Sequence, residues 1–558
     1  MTTSQQARAL AEELQARRLA ASPFTATYMG LPGHDDRVPD VSRDGEAAHR
    51  AAAASFLERA QTLADGPDLE PADAVTLETV AHTARSDIAD LDAGLIEHTI
   101  SPQGDGPSLL MQMAGVTTLT GPAAAADYLT RCRAMAGYVD ACADRLREGA
   151  AAGRLPVAAL VTRTLAQLDG YLGSDLADDP LTGLDAPQGW DGETAWRAEV
   201  TDAVRDLVRP AVARYRDLAA ELAPRSRGDD RPGLVHLPGG REAYDRLVLV
   251  HTSLPLTAEE VHTRGLAAVA ELREQMTEVG ARIGLHGFEA ARDGVRGSSA
   301  GVDPHEALVA AQESVRRAEG ALGGWFAEPL PPACRVEPMS THLGQAGVPP
   351  HYTPPTDDGS RPGTYWFNVD QVGMGAAWDR EAVAYHEAVP GHHLQLQRML
   401  TRADLPTLQR QAVVTVHAEG WGLYAELLAE EMGLYSDDRQ RLGALGARIF
   451  RATRLVVDTG LHALGWSRAQ ALETMLAHVP APEAFLSSEV DRYVAWPGQA
   501  LAYYTGFEEI LRLRARAREE LGDRFDIAGF HAAVLDGGCV PLPALRRAVT
   551  AWTATART

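Results

Sequence analysis

The chain has 558 residues, 45% hydrophobic and 23% charged, and its 76 acidic against 52 basic residues leave a net charge of −24. That length is enough to bury a large core, while a field of that sign repels phosphate backbones and anionic membranes, so neither nucleic acid nor a membrane surface is an expected partner. All 52 basic residues are arginine, and the lack of lysine excludes Schiff-base chemistry on a lysine amine and phosphate binding by a P-loop lysine.

Residues 1–230 are rich in Ala, Leu, Arg and Glu with apolar spacings of three and four, as at 9–14 and 207–215, and read as stacked helices. This predicts an N-terminal helical region over 1–230 and a catalytic region over 231–558, joined as one lobed unit. The start of the chain lacks the basic segment and apolar core of a signal peptide, and no run approaches the ~18 apolar residues of a membrane span; both predict a cytoplasmic protein. The four cysteines, Cys132, Cys142, Cys334 and Cys539, are too scattered for a disulfide framework or a CxxC zinc site and are expected to be buried thiols.

Polar, Pro- and Gly-rich breaks fall at 173–192 and 224–240. The β-branched run 246–251 then reads as a strand, and the cap-like Thr257 with Glu259 and Glu260 behind it as a helix start. Proline density over 328–363 predicts an extended loop. It leads into Thr364, Tyr365, Trp366 and Phe367, aromatic and β-branched, which predict a strand. Were its edge exposed beside the site, Tyr365 would help an extended substrate pair through backbone hydrogen bonds; a strand buried on both faces fits the pattern equally well.

The segment His386-Glu387-Ala388-Val389-Pro390-Gly391-His392-His393-Leu394 reads as an HExxH zinc helix with Pro390 and Gly391 inserted before the second histidine. In the uninterrupted motif, two histidines four apart bind Zn²⁺ from one helical face and the adjacent Glu is general base toward the metal's water. Six residues on a regular helix turn by about 240°, which puts His392 on the wrong face, so the insertion must bulge or break the helix to bring it back. His393 shares the face of His386 on an unbroken helix but lies roughly 10 Å along the axis; it is the alternate ligand or an outer hydrogen-bonding partner. A catalytic zinc needs a third protein ligand, for which Glu419 in Glu419-Gly420-Trp421-Gly422-Leu423-Tyr424-Ala425-Glu426 is the candidate, with Glu426 seven residues on and on the same face.

Arg454, Asp458 and His462 repeat every four residues in an apolar helix and form one polar stripe, from which Asp458 is expected to orient a zinc-binding imidazole. Further on, Arg492 and Tyr493 precede Trp496-Pro497-Gly498-Gln499, and Tyr503 and Tyr504 follow it. Arg361 and Arg492 are the candidates for gripping a substrate carboxylate with both guanidinium edges, with Tyr493 and Gln499 beside Arg492 in the same substrate-binding set.

The strings 386–395, 419–426 and 496–503, with Asp357-Asp358-Gly359-Ser360-Arg361-Pro362-Gly363-Thr364-Tyr365-Trp366 and Pro541-Leu542-Pro543, resemble the signatures of the bacterial domain-of-unknown-function 885 family. That family is in turn similar to carboxypeptidase-Taq-like and thimet-oligopeptidase-like zinc peptidases. The resemblance spans most of the chain. It implies a mainly α, gluzincin-peptidase-like fold with a small β-sheet beside a deep active-site cleft, and a transition-state tyrosine at Tyr503 or Tyr504. The Pro-Gly insertion departs from the better-studied relatives, in which a small residue and Leu follow the second histidine; this favours His392 over His393. The expected activity is zinc-dependent hydrolysis of peptide or peptide-like amide bonds, with His386, His392 and Glu419 on Zn²⁺ and Glu387 as base. The alternatives are a zinc amidohydrolase acting on a specialised metabolite or carrier-linked intermediate, and a catalytically silent binding protein, to which Glu387 would be of no use.

Overall fold

Residues 2–66, 69–104, 106–298, 302–340, 348–355, 361–372 and 377–557 are described by the computed structural model. The first part is helical, as its composition predicts: α1 (Thr3–Ala21), α2 (Arg43–Ala64), α3 (Pro71–Ala93), α4 (Pro122–Ala151), α5 (Ala158–Gly173) and α6 (Arg209–Leu222). The chain chemistry sets their starts. Thr2 closes a capping box with Gln5, Ser42 accepts the Gly45 N–H, and proline opens α3 and α4 where no helical N–H is needed. Helices α4 to α6 enclose one core around Cys132, Met135, Val139, Leu168 and Val212, while α1 to α3 enclose another that also takes in Leu408. Contacts cross position 230, since Val75 and Ala93 of α3 lie in the main core of the later residues.

The expected strand at 246–251 is instead the end of helix α7 (Gly240–Thr252). Its burial repeats with a helical period: Ala243, Tyr244, Leu247 and Val248 are buried, while Asp245 and Arg246 between them are exposed. Tertiary packing of that face overrides a short β-branched run. Helix α8 (Ala258–Arg282) begins at the expected place, with Thr257 Oγ1 accepting the Glu260 N–H (3.1 Å) and Glu260 Oε2 accepting the Thr257 N–H (2.8 Å).

The proline-rich 328–363 segment is not wholly loop. It holds β1 (Arg335–Pro338) and β2 (His351–Thr353), which flank the expected strand β3 (Thr364–Phe367) in the order β1-β3-β2, parallel on one side and antiparallel on the other. Of the two readings of β3, the free edge gives way to the buried strand: Tyr365 pairs between Val336 and Tyr352 and is 1% exposed, so it offers no edge to a substrate. The edge beside the site belongs to β2. Asp357, Gly359 and their neighbours in the 357–366 string lie outside the described residues.

The helices that follow and position the site include α9 (Arg380–Glu387), α10 (His392–Thr401), α11 (Thr415–Glu431), α12 (Asp438–His462), α13 (Glu483–Ala495), α14 (Ala502–Leu521) and α15 (Leu542–Arg557). The fold is thus mainly α with a three-stranded sheet. Helices α11 and α14 meet backbone to backbone, since a Cβ on Gly506 would overlap the Val416 carbonyl and one on Gly420 would lie 2.5 Å from the Gly506 carbonyl carbon. Gly506→Ala is accordingly expected to lower unfolding free energy by about 1–3 kcal/mol, as overpacking does, read from the midpoint of denaturant unfolding. Among the described residues no helix is long and apolar enough to cross a membrane.

Candidate metal centre

The inserted Pro390-Gly391 breaks the helix of the split histidine motif outright. Helix α9 ends at Glu387, the chain leaves helical angles at Ala388 (φ −97°, ψ −108°) and Gly391 (φ −81°, ψ −130°), and α10 starts at His392. The turn folds back tightly: a Cβ on Gly391 would overlap the carbonyl oxygens of Tyr385 and His386. The buried Trp421 indole N–H holds it, donating to the carbonyls of Pro390 (2.9 Å) and Gly391 (3.3 Å). Trp421 lies two residues after Glu419, so the helix that carries the third candidate ligand also secures the break that re-aims the second.

This brings His386, His392 and Glu419 together, with one ligand atom from each lying within 4.8 Å of the others. Glu419 Oε2 is 3.4 Å from His386 Nε2 and 3.8 Å from His392 Nε2. Tetrahedral zinc with bonds of ~2.0–2.1 Å spaces its ligand atoms by about 3.3 Å, so these separations suit atoms that share an ion. Two further observations fit a metal. Glu426 Oε1 takes His386 Nδ1 at 2.9 Å, leaving Nε2 for the metal in the way carboxylate-bound zinc histidines do. Gly422 leaves room for the imidazole, since a Cβ there would run into the His386 ring. Burial alone would lower the His386 pKa, but Glu419 and Glu426 on either side outweigh it and raise it to about 10. The Glu419 carboxyl, which burial would push up, is held well below the usual range by both imidazoles. The cluster is built for positive charge.

Glu387 is half-buried beside His386, and its Oε2 accepts the backbone N–H of Tyr352 (2.9 Å) from the outer edge of β2. Tyr352 also reaches His393, its hydroxyl 3.0 Å from Nδ1, while Nε2 lies 2.7 Å from the Pro332 carbonyl oxygen. A carbonyl only accepts, so Nε2 carries the proton and Nδ1 accepts from the phenol. Burial lowers the His393 pKa, and with both nitrogens engaged it points away from the cluster.

The remaining sequence candidates separate cleanly. Tyr503 is half-buried; burial and the Glu419 carboxylate raise its pKa, against the pull of Arg454, Arg492 and Gln499. Tyr504 is 6% exposed, packs on Phe507 with ring centroids 5.4 Å apart, and feels Glu508, Arg448 and Glu271 instead. Only Tyr503 shares the field of the site. Asp458 does not orient a zinc-binding imidazole: it accepts the Tyr244 hydroxyl (2.6 Å) and the Gly498 N–H (3.0 Å), and its burial pushes its pKa to about 7. The residue that meets His386 is Glu426. Arg492 gives all three guanidinium nitrogens to Glu489 and Gln499, Tyr493 is fully buried with its hydroxyl on Glu489, and Arg361 is exposed with Nη2 3.4 Å from the Pro354 carbonyl. Arg492 therefore lacks the open fork a substrate carboxylate would need. Sequence reading missed Tyr352, for which a proline-rich loop offers no periodic signal, and placed Glu426 on the face of Glu419 without naming its partner.

A sequence family described as bacterial protein of unknown function (DUF885) matches residues 23–549. Among solved structures, a "putative lipoprotein" from Colwellia psychrerythraea is 26% identical over 99% of this chain and 100% of its own, with a TM-score of 0.88. A "putative lipoprotein of unknown function" from Shewanella oneidensis is 15% identical over 98% and 99%, with a TM-score of 0.74. The M32 carboxypeptidase from Deinococcus radiodurans R1 is 12% identical over 98% and 94%, with a TM-score of 0.41. No curated protein matches the chain.

Proposed function

The chain belongs to this family of bacterial proteins, whose description assigns no function, and we propose that it is a zinc-dependent hydrolase of peptide or peptide-like amide bonds. The observation that carries the reading is the convergence of His386, His392 and Glu419 on one point with the Glu387 carboxylate beside them. Zinc held there by His386, His392 and Glu419 would supply Lewis acidity and make water easier to deprotonate. Glu387 takes the proton of the attacking water and passes it to the leaving amine, its position set by the Tyr352 N–H. Tyr503 donates a hydrogen bond from its phenol to the carbonyl oxygen as negative charge builds there. The outer edge of β2, rather than β3, offers backbone groups beside Glu387 to an extended substrate.

On this reading the partners are peptides or small amides, not nucleic acids or membranes, and the cytoplasmic location expected from sequence belongs to the same proposal; cell fractionation checks the latter. The purified protein is expected to hold about one zinc per chain, the catalytic arrangement of three protein ligands, and to cleave members of a peptide library read by mass spectrometry. Metal analysis showing no zinc, together with no cleavage after zinc is added, overturns the proposal. Loss of cleavage on chelation and its return with zinc supports it.

A further inference from the structure

The polar stripe of α12 takes no direct part in the proposed reaction, yet each of its members reaches the connection between α13 and α14. His462 Nε2 lies 3.0 Å from the Tyr493 carbonyl oxygen, and its Nδ1 lies 3.2 Å from the Leu234 backbone nitrogen. A carbonyl only accepts and a backbone N–H only donates, so the imidazole carries its proton on Nε2. One turn earlier, Asp458 accepts the Gly498 N–H (3.0 Å) and the Tyr244 hydroxyl (2.6 Å). Gly498 stands at φ 84°, a conformation that favours glycine, and a Cβ there would lie 3.0 Å from the His251 ring. One turn earlier again, Arg454 donates from Nε to the Tyr493 hydroxyl (3.1 Å) and from Nη2 to Glu489 Oε2 (3.0 Å).

Arg454 does more than hold α13. It is 6% exposed, and its guanidinium carbon lies 4.5 Å from the centroid of the Tyr503 ring and 4.2 Å from that of Phe450. A cation so close to a ring is attracted by its negative π face. The guanidinium is planar, and two of its nitrogens are tied to α13 through Glu489 and Tyr493, so its plane is set independently of Tyr503. Glu489 is itself pinned by Arg492, which donates from Nε to Oε1 (3.0 Å) and from Nη2 to Oε2 (2.8 Å). Tyr503 is half-buried on the first turn of α14, where the leading N–H groups have no partner within the helix. It lies one turn before Gly506, whose backbone meets Gly420 beside Glu419. The ring thus approaches the candidate metal ligands from a part of the helix that needs outside support.

We propose that Arg454 is a positioning residue for Tyr503: its guanidinium, held by Glu489 and Tyr493, bears on the phenol ring and keeps the hydroxyl directed at the candidate metal centre. Asp458 and His462 fix the backbone that leads there. The assignment rests on the reading of Tyr503 as hydrogen-bond donor to the substrate carbonyl. Such a donor serves a developing oxyanion only from within hydrogen-bond reach, and a ring free to change rotamer leaves that reach. The stripe that sequence aims at the metal therefore acts on the site through a phenol and not through an imidazole, and it gives Glu489 and Arg492 a task other than gripping substrate.

The test uses the full-length protein labelled with 3-fluorotyrosine, in which the Tyr503 signals are identified by their absence in Tyr503→Phe. A single fluorine makes the two orientations of the ring distinct, so exchange between them reads how tightly the ring is held. Arg454→Met keeps most of the bulk and removes the cation, and Glu489 retains both Arg492 nitrogens, so no buried carboxylate is left unpaired. Arg454→Lys keeps a cation, but one ammonium cannot span Glu489, Tyr493 and the ring together; it serves should Arg454→Met not fold. In either variant, ring exchange at Tyr503 is expected to be about tenfold faster at constant pH, while Tyr504, packed on Phe507, is unchanged. On a cleaved peptide, kcat is expected to fall about tenfold with KM within about twofold, and the substitution is expected to cost nothing further in the Tyr503→Phe background. Unchanged exchange at Tyr503 overturns the proposal, as does a raised KM with kcat kept or a loss that adds to that of Tyr503→Phe. Ring exchange needs no turnover, so a faster ring in a protein that cleaves nothing upholds the role of Arg454 and rejects the hydrolase.

Discussion

His392→Ala is expected to abolish tight zinc binding, whereas His393→Ala retains the metal and loses hydrolysis. Adjacent residues at a helix start diverge by about 100°, so one turn aims only one of them at His386. The structure directs His392 Nε2 to within 3.8 Å of Glu419 and engages both nitrogens of His393, one with the Tyr352 hydroxyl and one with the Pro332 carbonyl. Removing His393 therefore loosens β2, and with it the backbone N–H that positions Glu387. Outer partners of a metal site typically cost ~10–100-fold in affinity or activity. The loss of zinc affinity in His392→Ala should exceed that range, and the loss in His393→Ala should fall on turnover. Zinc per chain after dialysis, measured for both variants, decides between them; loss of metal from His393→Ala alone would reject the assignment.

Glu387→Gln is expected to keep zinc while turnover drops by ~10²–10⁴-fold, the usual contribution of a positioned general base. The glutamine oxygen still accepts the Tyr352 N–H, so β2 stays in place, and none of the three candidate ligands changes. Only the capacity to take a proton is lost. Zinc content and peptide turnover measured on the same preparation check this: near-parental turnover removes Glu387 from the mechanism, and a loss of zinc would mean that its charge holds the metal.

Features that depend on neighbours in the chain were legible from sequence. Capping at Thr257 marked the start of α8, aromatic and β-branched residues marked β3, and the broken HExxH pattern with Glu419 selected side chains that the fold gathers within 4.8 Å. Each reflects local backbone preference or the spacing of residues along one element. What lay beyond reach depends on contacts between distant segments. The run 246–251 is helical because Tyr244 and Leu247 pack into the core. Asp458, on a stripe that sequence aims at the metal, holds the Gly498 turn instead. Tyr503 and Tyr504 are equivalent as letters, and only the crossing of α11 and α14 at Gly420 and Gly506 sets one near Glu419 and the other in the core. The sequence by itself determined a helical protein with a split histidine-glutamate motif. The tertiary structure decided where each polar side chain points, because direction around a broken helix follows from what packs against it, here Trp421 on the Pro390-Gly391 turn and Tyr352 on Glu387 and His393.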